Sequence, residues 1–146
     1  MKFISKEEFL KQPKEVQDKI RELWNPQQND MFTRKGCKGI IPYLILDRDE
    51  DMIMTDTCNC EVWYEYLDNQ IVPLLTMDKI IDMIEDMIGM YLDIMLNPSS
   101  YGFMIYLYKE AYDDLPEKVF SNFIKQDRLH ALWEVLIEII NEKLLK

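Results

Sequence analysis

One segment near the middle of the chain constrains the fold most, because it carries the signals of a complete amphipathic helix. Thr76 is a good N-cap residue, and Gly89 stands where a left-handed residue often closes a helix. Between these positions the apolar residues recur at helical spacing and form a stripe of Met77, Ile80, Ile81, Ile84 and Ile88. The segment therefore predicts a helix over residues 77–88 with one buried face.

Each end of the chain also has a helical pattern. Ser5 followed three residues later by Glu8 is a capping-box sequence, and Pro13 suits the first turn of a second helix. A long C-terminal segment, residues 126–144, has its own apolar stripe of Leu129, Leu132, Trp133, Leu136 and Ile140. We therefore expect N-terminal helices and a long C-terminal helix.

The segments between these helices have strand character. Residues 32–66 are rich in β-branched and aromatic residues, which predicts a hairpin or a three-stranded meander. Near its end the side chains alternate, with Cys60, Val62 and Tyr64 on one face and Glu61, Trp63 and Glu65 on the other. We expect a second hairpin over residues 91–108 and a loop over residues 110–123. The predicted fold is a single α+β domain, residues 1–146, with a small antiparallel sheet built from two hairpins.

The charge is acidic and unevenly distributed. The chain has 17 Lys and Arg against 27 Asp and Glu, a formal net charge of −10. Residues 1–38 carry a net charge of +3, whereas the remainder carries −13. Thirteen acidic residues lie between Asp47 and Asp93, opposed only by Arg48 and Lys79. A polyanionic surface repels phosphate, so we expect no direct nucleic-acid binding and favour a protein partner with a basic surface.

The three cysteines and the single histidine supply enough ligands for a zinc site. Cys37, Cys58, Cys60 and His130 would make four, the number that structural zinc sites use. However, the Cys58-x-Cys60 spacing is shorter than the usual Cys-x2-Cys and has no matching second pair. Cysteines that act as small hydrophobic residues are the preferred interpretation, so no metal or other cofactor is expected.

The acidic run at residues 47–51 offers a different metal site. Asp47, Asp49 and Asp51 have the spacing of the first ligands of an EF-hand loop. The sixth position is Met52 rather than Gly, and the twelfth is Cys58 rather than Glu, so that motif fails. A polar turn between strands is the better interpretation. A metal-binding module or metal-dependent enzyme that uses these acids, or the cysteines with His130, is the alternative function.

Other signals of enzymatic chemistry are lacking. With one His and no Gly-x-Ser-x-Gly turn, the chain has no recognisable pairing of a nucleophile with a base. Its four Gly do not form a phosphate-binding pattern. The N-terminus lacks the apolar core of a signal peptide, and no apolar run reaches the roughly 18 residues of a transmembrane helix. We therefore expect a cytoplasmic, non-enzymatic protein with no membrane contact.

Several short patterns occur in a fixed order along the chain. They are an opening Glu-Glu-Phe with a later Pro and Val-Gln, then Trp-x-Pro with Asp-x-Phe, then Pro-Leu-Leu-Thr, and finally Leu-x-x-Leu-Trp. The matching positions are Phe9, Pro13, Val16, Gln17, Trp24, Pro26, Asp30, Phe32, Pro73, Leu74, Leu75, Thr76, Leu129, Leu132 and Trp133. In these patterns the chain resembles a family of small uncharacterised proteins encoded in phages and prophages of low-GC Gram-positive bacteria. The resemblance implies a role in an infected or lysogenic cell and carries over no functional residue.

Together these observations predict an acidic accessory protein, encoded by a phage or prophage, that works by binding another protein. A sharper form of this hypothesis is nucleic-acid mimicry, in which spaced carboxylates occupy and inhibit the basic groove of a host nucleic-acid enzyme. The candidate partner-binding residues are Asp47, Asp49, Glu50, Asp51, Asp56, Glu61, Glu65, Asp82, Glu85 and Asp86.

Overall fold

Four helices and nine strands occur within the residues that the computed structural model describes, which are 2–38, 41–57, 60–97, 102–111, 113–120 and 127–144. The chain divides into two units. The first is Phe3–Leu75, and the second is Thr76–Lys146 together with Met1–Lys2. That residues 1–146 behave as a single domain stays a prediction. The α+β class is confirmed, and every strand pairing is antiparallel.

The first unit begins with two helices, α1 (Lys6–Leu10) and α2 (Lys14–Trp24). Of the predicted capping box, the cap from the Ser5 side chain is confirmed at α1. There the backbone N–H of Glu8 donates to Ser5 Oγ at 3.2 Å, and the Ser5 hydroxyl donates to Glu8 Oε1 at 3.1 Å. Pro13 takes the N-cap position of α2, just before the first turn predicted for it. Asn25 ends this helix in the left-handed conformation, with φ at 42°, which Asn tolerates better than most residues.

Six strands follow and form two sheets. They are β1 (Met31–Arg34), β2 (Tyr43–Leu44), β3 (Asp47–Asp49), β4 (Met52–Thr57), β5 (Cys60–Glu65) and β6 (Ile71–Pro73). Strand β1 lies between β2 and β6 in one sheet, while β3, β4 and β5 form the other in sequential order. This second sheet is the three-stranded meander expected from the sequence, and it is called the meander below.

The core of the first unit is built from both helices and both sheets. Its buried apolar side chains include Phe9, Val16, Ile20, Trp24, Phe32, Ile45, Ile53, Ile71, Val72 and Leu75. A fully buried charged residue, Arg21 of α2, lies among them. Its Nε donates to the carbonyl of Ile71 at 2.8 Å, so a charged side chain joins α2 to β6.

The second unit contains α3 (Met77–Ile88), β7 (Tyr91–Asn97), β8 (Gly102–Tyr108), β9 (Lys118–Phe120) and α4 (Arg128–Leu144). Helix α3 has the predicted bounds, with Thr76 as its N-cap and Gly89, at φ 66°, as its C-cap. Strands β7 and β8 form the expected second hairpin. Helix α3 packs against α4, whose predicted stripe is buried. Lys143 Nζ donates to the carbonyl of Met87 at 2.8 Å and so satisfies a carbonyl that the last turn of α3 leaves unpaired.

Three details of the prediction were wrong. The described strands form three sheets rather than one small sheet, because β1 pairs with β6, a partner far along the chain that no local pattern identifies. The expected loop over residues 110–123 contains β9, which is too short for alternation to reveal it. Helix α4 begins at Arg128, since Asp127 supplies its cap, and residue 126 lies outside the described residues.

Asp127 satisfies backbone donors at the start of α4. Its Oδ1 accepts a hydrogen bond from the backbone N–H of His130 at 2.8 Å and lies 2.7 Å from His130 Nδ1. The bond from the backbone N–H is the main cause that lowers the pKa of Asp127 below its ordinary value. Folding therefore favours the ionised form of this carboxyl group.

We expect Asp127→Ala to lower the free energy of unfolding by about 1 kcal/mol at pH 7, the usual effect of losing an N-cap. Because the folded-state pKa lies below the unfolded-state value of about 3.9, the contribution of the carboxylate is complete above that value. It is lost as the pH falls through the folded-state pKa. Urea unfolding of wild type and variant, compared at pH 7 and at about pH 3, measures this difference. Asp127→Asn keeps a capping oxygen, so an equal loss for Asn and Ala at pH 7 would contradict the assignment.

Candidate functional site

The inner face of the meander packs against the other sheet of the first unit. Ile53 and Thr55 are buried there. Tyr64 is half-buried, with its ring edge-on to that of Phe32 at a centroid distance of 5.8 Å. Thr55 Oγ1 also donates to the carbonyl of Leu44 at 2.8 Å, which ties the meander to β2. The opposite face is therefore the one that can receive a ligand.

Strand register defines this opposite face. Residues directly across from one another in neighbouring strands point to the same side of a sheet. The register places Asp47, Met54 and Trp63 in one row across the three strands. Steps of two residues along each strand extend the row into a continuous face. We call it the outer meander face: Asp47, Asp49, Met52, Met54, Asp56, Glu61, Trp63 and Glu65.

The outer meander face combines an apolar centre with a rim of carboxylates. Trp63 keeps 40% of its surface exposed, and it lies beside the half-buried side chains of Met52 and Met54. All five acidic residues of the face are exposed. An aromatic ring attracts a cation to its π face, and carboxylates form charge-assisted hydrogen bonds with Lys or Arg. The chemistry of this face therefore fits basic side chains.

Two acids of the outer meander face stand directly opposite each other. Asp56 of β4 is paired with Glu61 of β5, and like charges in that arrangement destabilise a sheet. Among the residues that the structure describes, neither acid forms an ion pair with a basic side chain. A basic ligand would remove the repulsion, so this pair favours binding of an external cation.

The one basic residue within residues 47–65 does not neutralise the face. Arg48 alternates with Asp47 and Asp49 along β3 and points to the inner side. Its guanidinium donates to the side chain of Asn25, to the carbonyl of Pro26 at 2.9 Å and to the carbonyl of Glu50 at 3.0 Å. These bonds hold the Arg48 side chain on the inner side of the meander, so its charge does not neutralise the carboxylates of the outer meander face.

The remaining predicted site residues fall into two groups. Glu50 and Asp51 are exposed in the turn between β3 and β4, next to the outer meander face. Asp82, Glu85 and Asp86 belong to α3 in the second unit. Asp82 and Asp86 are exposed there. Glu85 is half-buried, and its Oε2 accepts a hydrogen bond from the backbone N–H of Leu92 at 3.0 Å, so it also serves to join α3 to β7.

The residues of the alternative metal site have other roles or positions. Cys37 is half-buried with its Sγ 3.6 Å from Tyr43 Oη, a contact that is the main cause of the raised pKa of Tyr43. Cys60 is exposed in β5, Cys58 lies outside the described residues, and His130 is in the second unit. Across the described residues, no group of three or more His, Cys, Asp or Glu is placed to hold a metal ion.

Sequence reasoning missed the apolar centre of the site. Alternation already placed Trp63 on the same face as Glu61 and Glu65, and that signal could have identified it. Met52 and Met54 could be assigned to this face only from the register of β4 against β5, which the sequence alone does not provide.

Comparison with protein-family models, with curated proteins and with solved structures finds no match. None of the helices in the described parts of the chain is both long enough and apolar enough to span a membrane. The fold and the site define an α+β protein that presents an acidic sheet face with an exposed tryptophan at its centre.

Proposed function

We propose that this chain is an acidic accessory protein, encoded by a phage or prophage, that acts in the bacterial cytoplasm by binding a protein with a basic surface. The observation that carries the proposal is the outer meander face, where five exposed carboxylates surround Trp63. The phage origin and the cytoplasmic location rest on the sequence resemblance. Host enzymes that handle nucleic acids present basic surfaces, so they are the first class of partner to consider.

Trp63 and the surrounding acids contribute differently to such binding. Central aromatic residues are frequent hot spots of interfaces, because they bury a large area at a low cost in conformational entropy. Rim carboxylates mainly steer association and select the sign of the partner's charge. Affinity is therefore expected to depend most on Trp63, and salt dependence on the acids.

The test uses the immobilised full chain to capture proteins from a lysate of a low-GC Gram-positive bacterium, followed by affinity measurement with the purified captured protein. Trp63→Ala should cost about 2 kcal/mol, or roughly thirtyfold in Kd. A double variant, Asp56→Asn with Glu61→Gln, should weaken binding about fivefold and flatten its dependence on salt.

A matched control is available on α1 and α2. Glu7→Gln with Glu15→Gln changes the net charge by the same amount on exposed residues that are neither part of the outer meander face nor among the predicted partner-binding residues. This variant should retain wild-type affinity. Equal weakening by the two double variants would show that net charge rather than this face drives binding, and capture that is insensitive to Trp63→Ala would reject the proposed site.

A further inference from the structure

Strand β5 is an edge of the meander. Within the described residues it pairs only with β4, and its opposite edge points away from β3 and β4. An edge strand presents a row of backbone N–H and C=O groups that another strand can pair with. Which residues present these groups follows from the hydrogen-bond pattern between β4 and β5.

The ladder between β4 and β5 fixes this pattern. The backbone N–H of Tyr66 donates to the carbonyl of Asp51 at 3.1 Å, just beyond the last paired residues. Hydrogen-bonded pairs alternate along an antiparallel ladder, so the intervening residues of β5 direct their backbone groups away from β4. Those residues are Glu61, Trp63 and Glu65. The carbonyl of Glu65 accepts from the N–H of Asp68 at 3.1 Å, whereas the three N–H groups face the open edge.

The open edge and the outer meander face therefore share the same residues. Glu61, Trp63 and Glu65 present side chains to the outer face and backbone groups to the edge. A strand laid beside β5 would place every second side chain next to these three residues. The intervening side chains would lie beside Val62 and Tyr64, both half-buried.

We propose that the partner binds by adding an extended segment antiparallel to β5, with Lys or Arg at alternate positions on the outer face and apolar residues between them. This inference rests on the proposed function and specifies how the basic partner is held. Backbone hydrogen bonds supply affinity that does not depend on sequence, while the alternate side chains supply specificity.

Charge selects this occupant over a second copy of the chain. In a symmetric antiparallel pair of β5 strands centred on Trp63, Glu61 of each copy would lie opposite Glu65 of the other. Like charges directly opposite are destabilising, so the acids oppose self-pairing. The same acids attract a basic strand. Charge complementarity therefore identifies a basic segment of a different protein as the strand that pairs with β5.

The test uses the full chain and three synthetic peptides, each acetylated and amidated, with the sequence Lys-Val-Lys-Val-Lys-Val-Lys. One is unmodified, one carries a methyl group on the backbone nitrogen of each internal lysine, and one carries a methyl group on the backbone nitrogen of each valine. In the proposed pairing the lysine amides face β5 and the valine amides face away. Methylation at lysine should therefore weaken binding about tenfold or more, and methylation at valine should leave it nearly unchanged.

Hydrogen exchange supplies a second readout. The unmodified peptide should slow exchange of the Glu61, Trp63 and Glu65 amides at least about tenfold, the effect of protecting them in a ladder. Glu61→Pro, which removes an edge N–H without removing a bond to β4, should weaken binding more than Glu61→Gln.

The outcomes separate the two proposals. Equal binding of both methylated peptides, with no protection of the three amides, would overturn strand addition while leaving the acidic face as a binding surface. If the unmodified peptide binds equally well to wild type and to Trp63→Ala while methylation at lysine still weakens binding, strand addition is supported and the proposed binding face centred on Trp63 is contradicted.

Discussion

Arg21→Ala is expected to lower the free energy of unfolding by about 3–5 kcal/mol, since it combines lost packing with an unpaired buried carbonyl at Ile71. The guanidinium donates to the carbonyls of Ile71 at 2.8 Å and Asn69 at 3.0 Å, and to Asp18 Oδ1 at 2.9 Å. It also lies 5.3 Å from the ring centroid of Phe9. Burial lowers the pKa of Arg21 and the charge of Asp18 opposes this shift, so the fold depends on keeping all of these partners in place.

Chemical denaturation of wild type, Arg21→Lys and Arg21→Ala measures this contribution. Lys keeps the charge but lacks the planar fork that reaches both carbonyls, so its loss should be intermediate, about 2 kcal/mol. Lys14→Ala is the matched control on the same helix. Its side chain is 79% exposed and forms a surface ion pair with Asp18 at 3.4 Å, so removal should change stability by less than about 0.5 kcal/mol. A similar loss for Arg21→Ala and Lys14→Ala would contradict a structural role for the buried guanidinium.

Leu136→Ala should lower the free energy of unfolding by about 2–5 kcal/mol, the range for deleting a buried leucine side chain. Leu136 is fully buried in α4, the longest helix of the described residues. The cost combines lost transfer of apolar surface from water with the cavity that remains. Glu138→Ala, at an exposed position of the same helix, should stay within about 0.5 kcal/mol of wild type.

The same variants test whether the chain unfolds as one domain. Arg21 belongs to the first unit and Leu136 to the second. If the chain is the single cooperative domain that the sequence predicts, either substitution lowers one common transition, observed identically by fluorescence and by far-UV circular dichroism. Two separate transitions, each moved by only one of the substitutions, would contradict that prediction.

Helices were the part of the fold that the sequence predicted best, because their signals are local. Thr76, Gly89 and the stripe between them specified both ends of α3. The pairing of β1 with β6 has no such local signal: Ile71, Val72 and Pro73 are all buried and show no alternation. Such long-range pairing depends on the whole core, so it could not be obtained from residue periodicity.

The candidate site could be predicted only in part, again because local signals are readable from the sequence and long-range contacts are not. Alternation correctly grouped Glu61, Trp63 and Glu65, since side-chain direction in a strand depends only on position. The hydrogen bond between Glu85 and the backbone of Leu92 depends on the direction that the chain takes from the end of α3 into β7. The spacing of residues in the sequence does not specify that direction. Composition identified the acids, and only the register showed which of them share a surface.

The division of the meander into an inner and an outer face has an evolutionary consequence. Inner residues such as Ile53 and Thr55 are constrained by packing, whereas substitutions on an exposed face usually change stability by no more than about 0.5 kcal/mol. The rim acids can therefore be exchanged one at a time without endangering the fold. A lineage in contact with changing partners could alter its binding specificity on this surface while the backbone of β5 continues to offer the same strand edge.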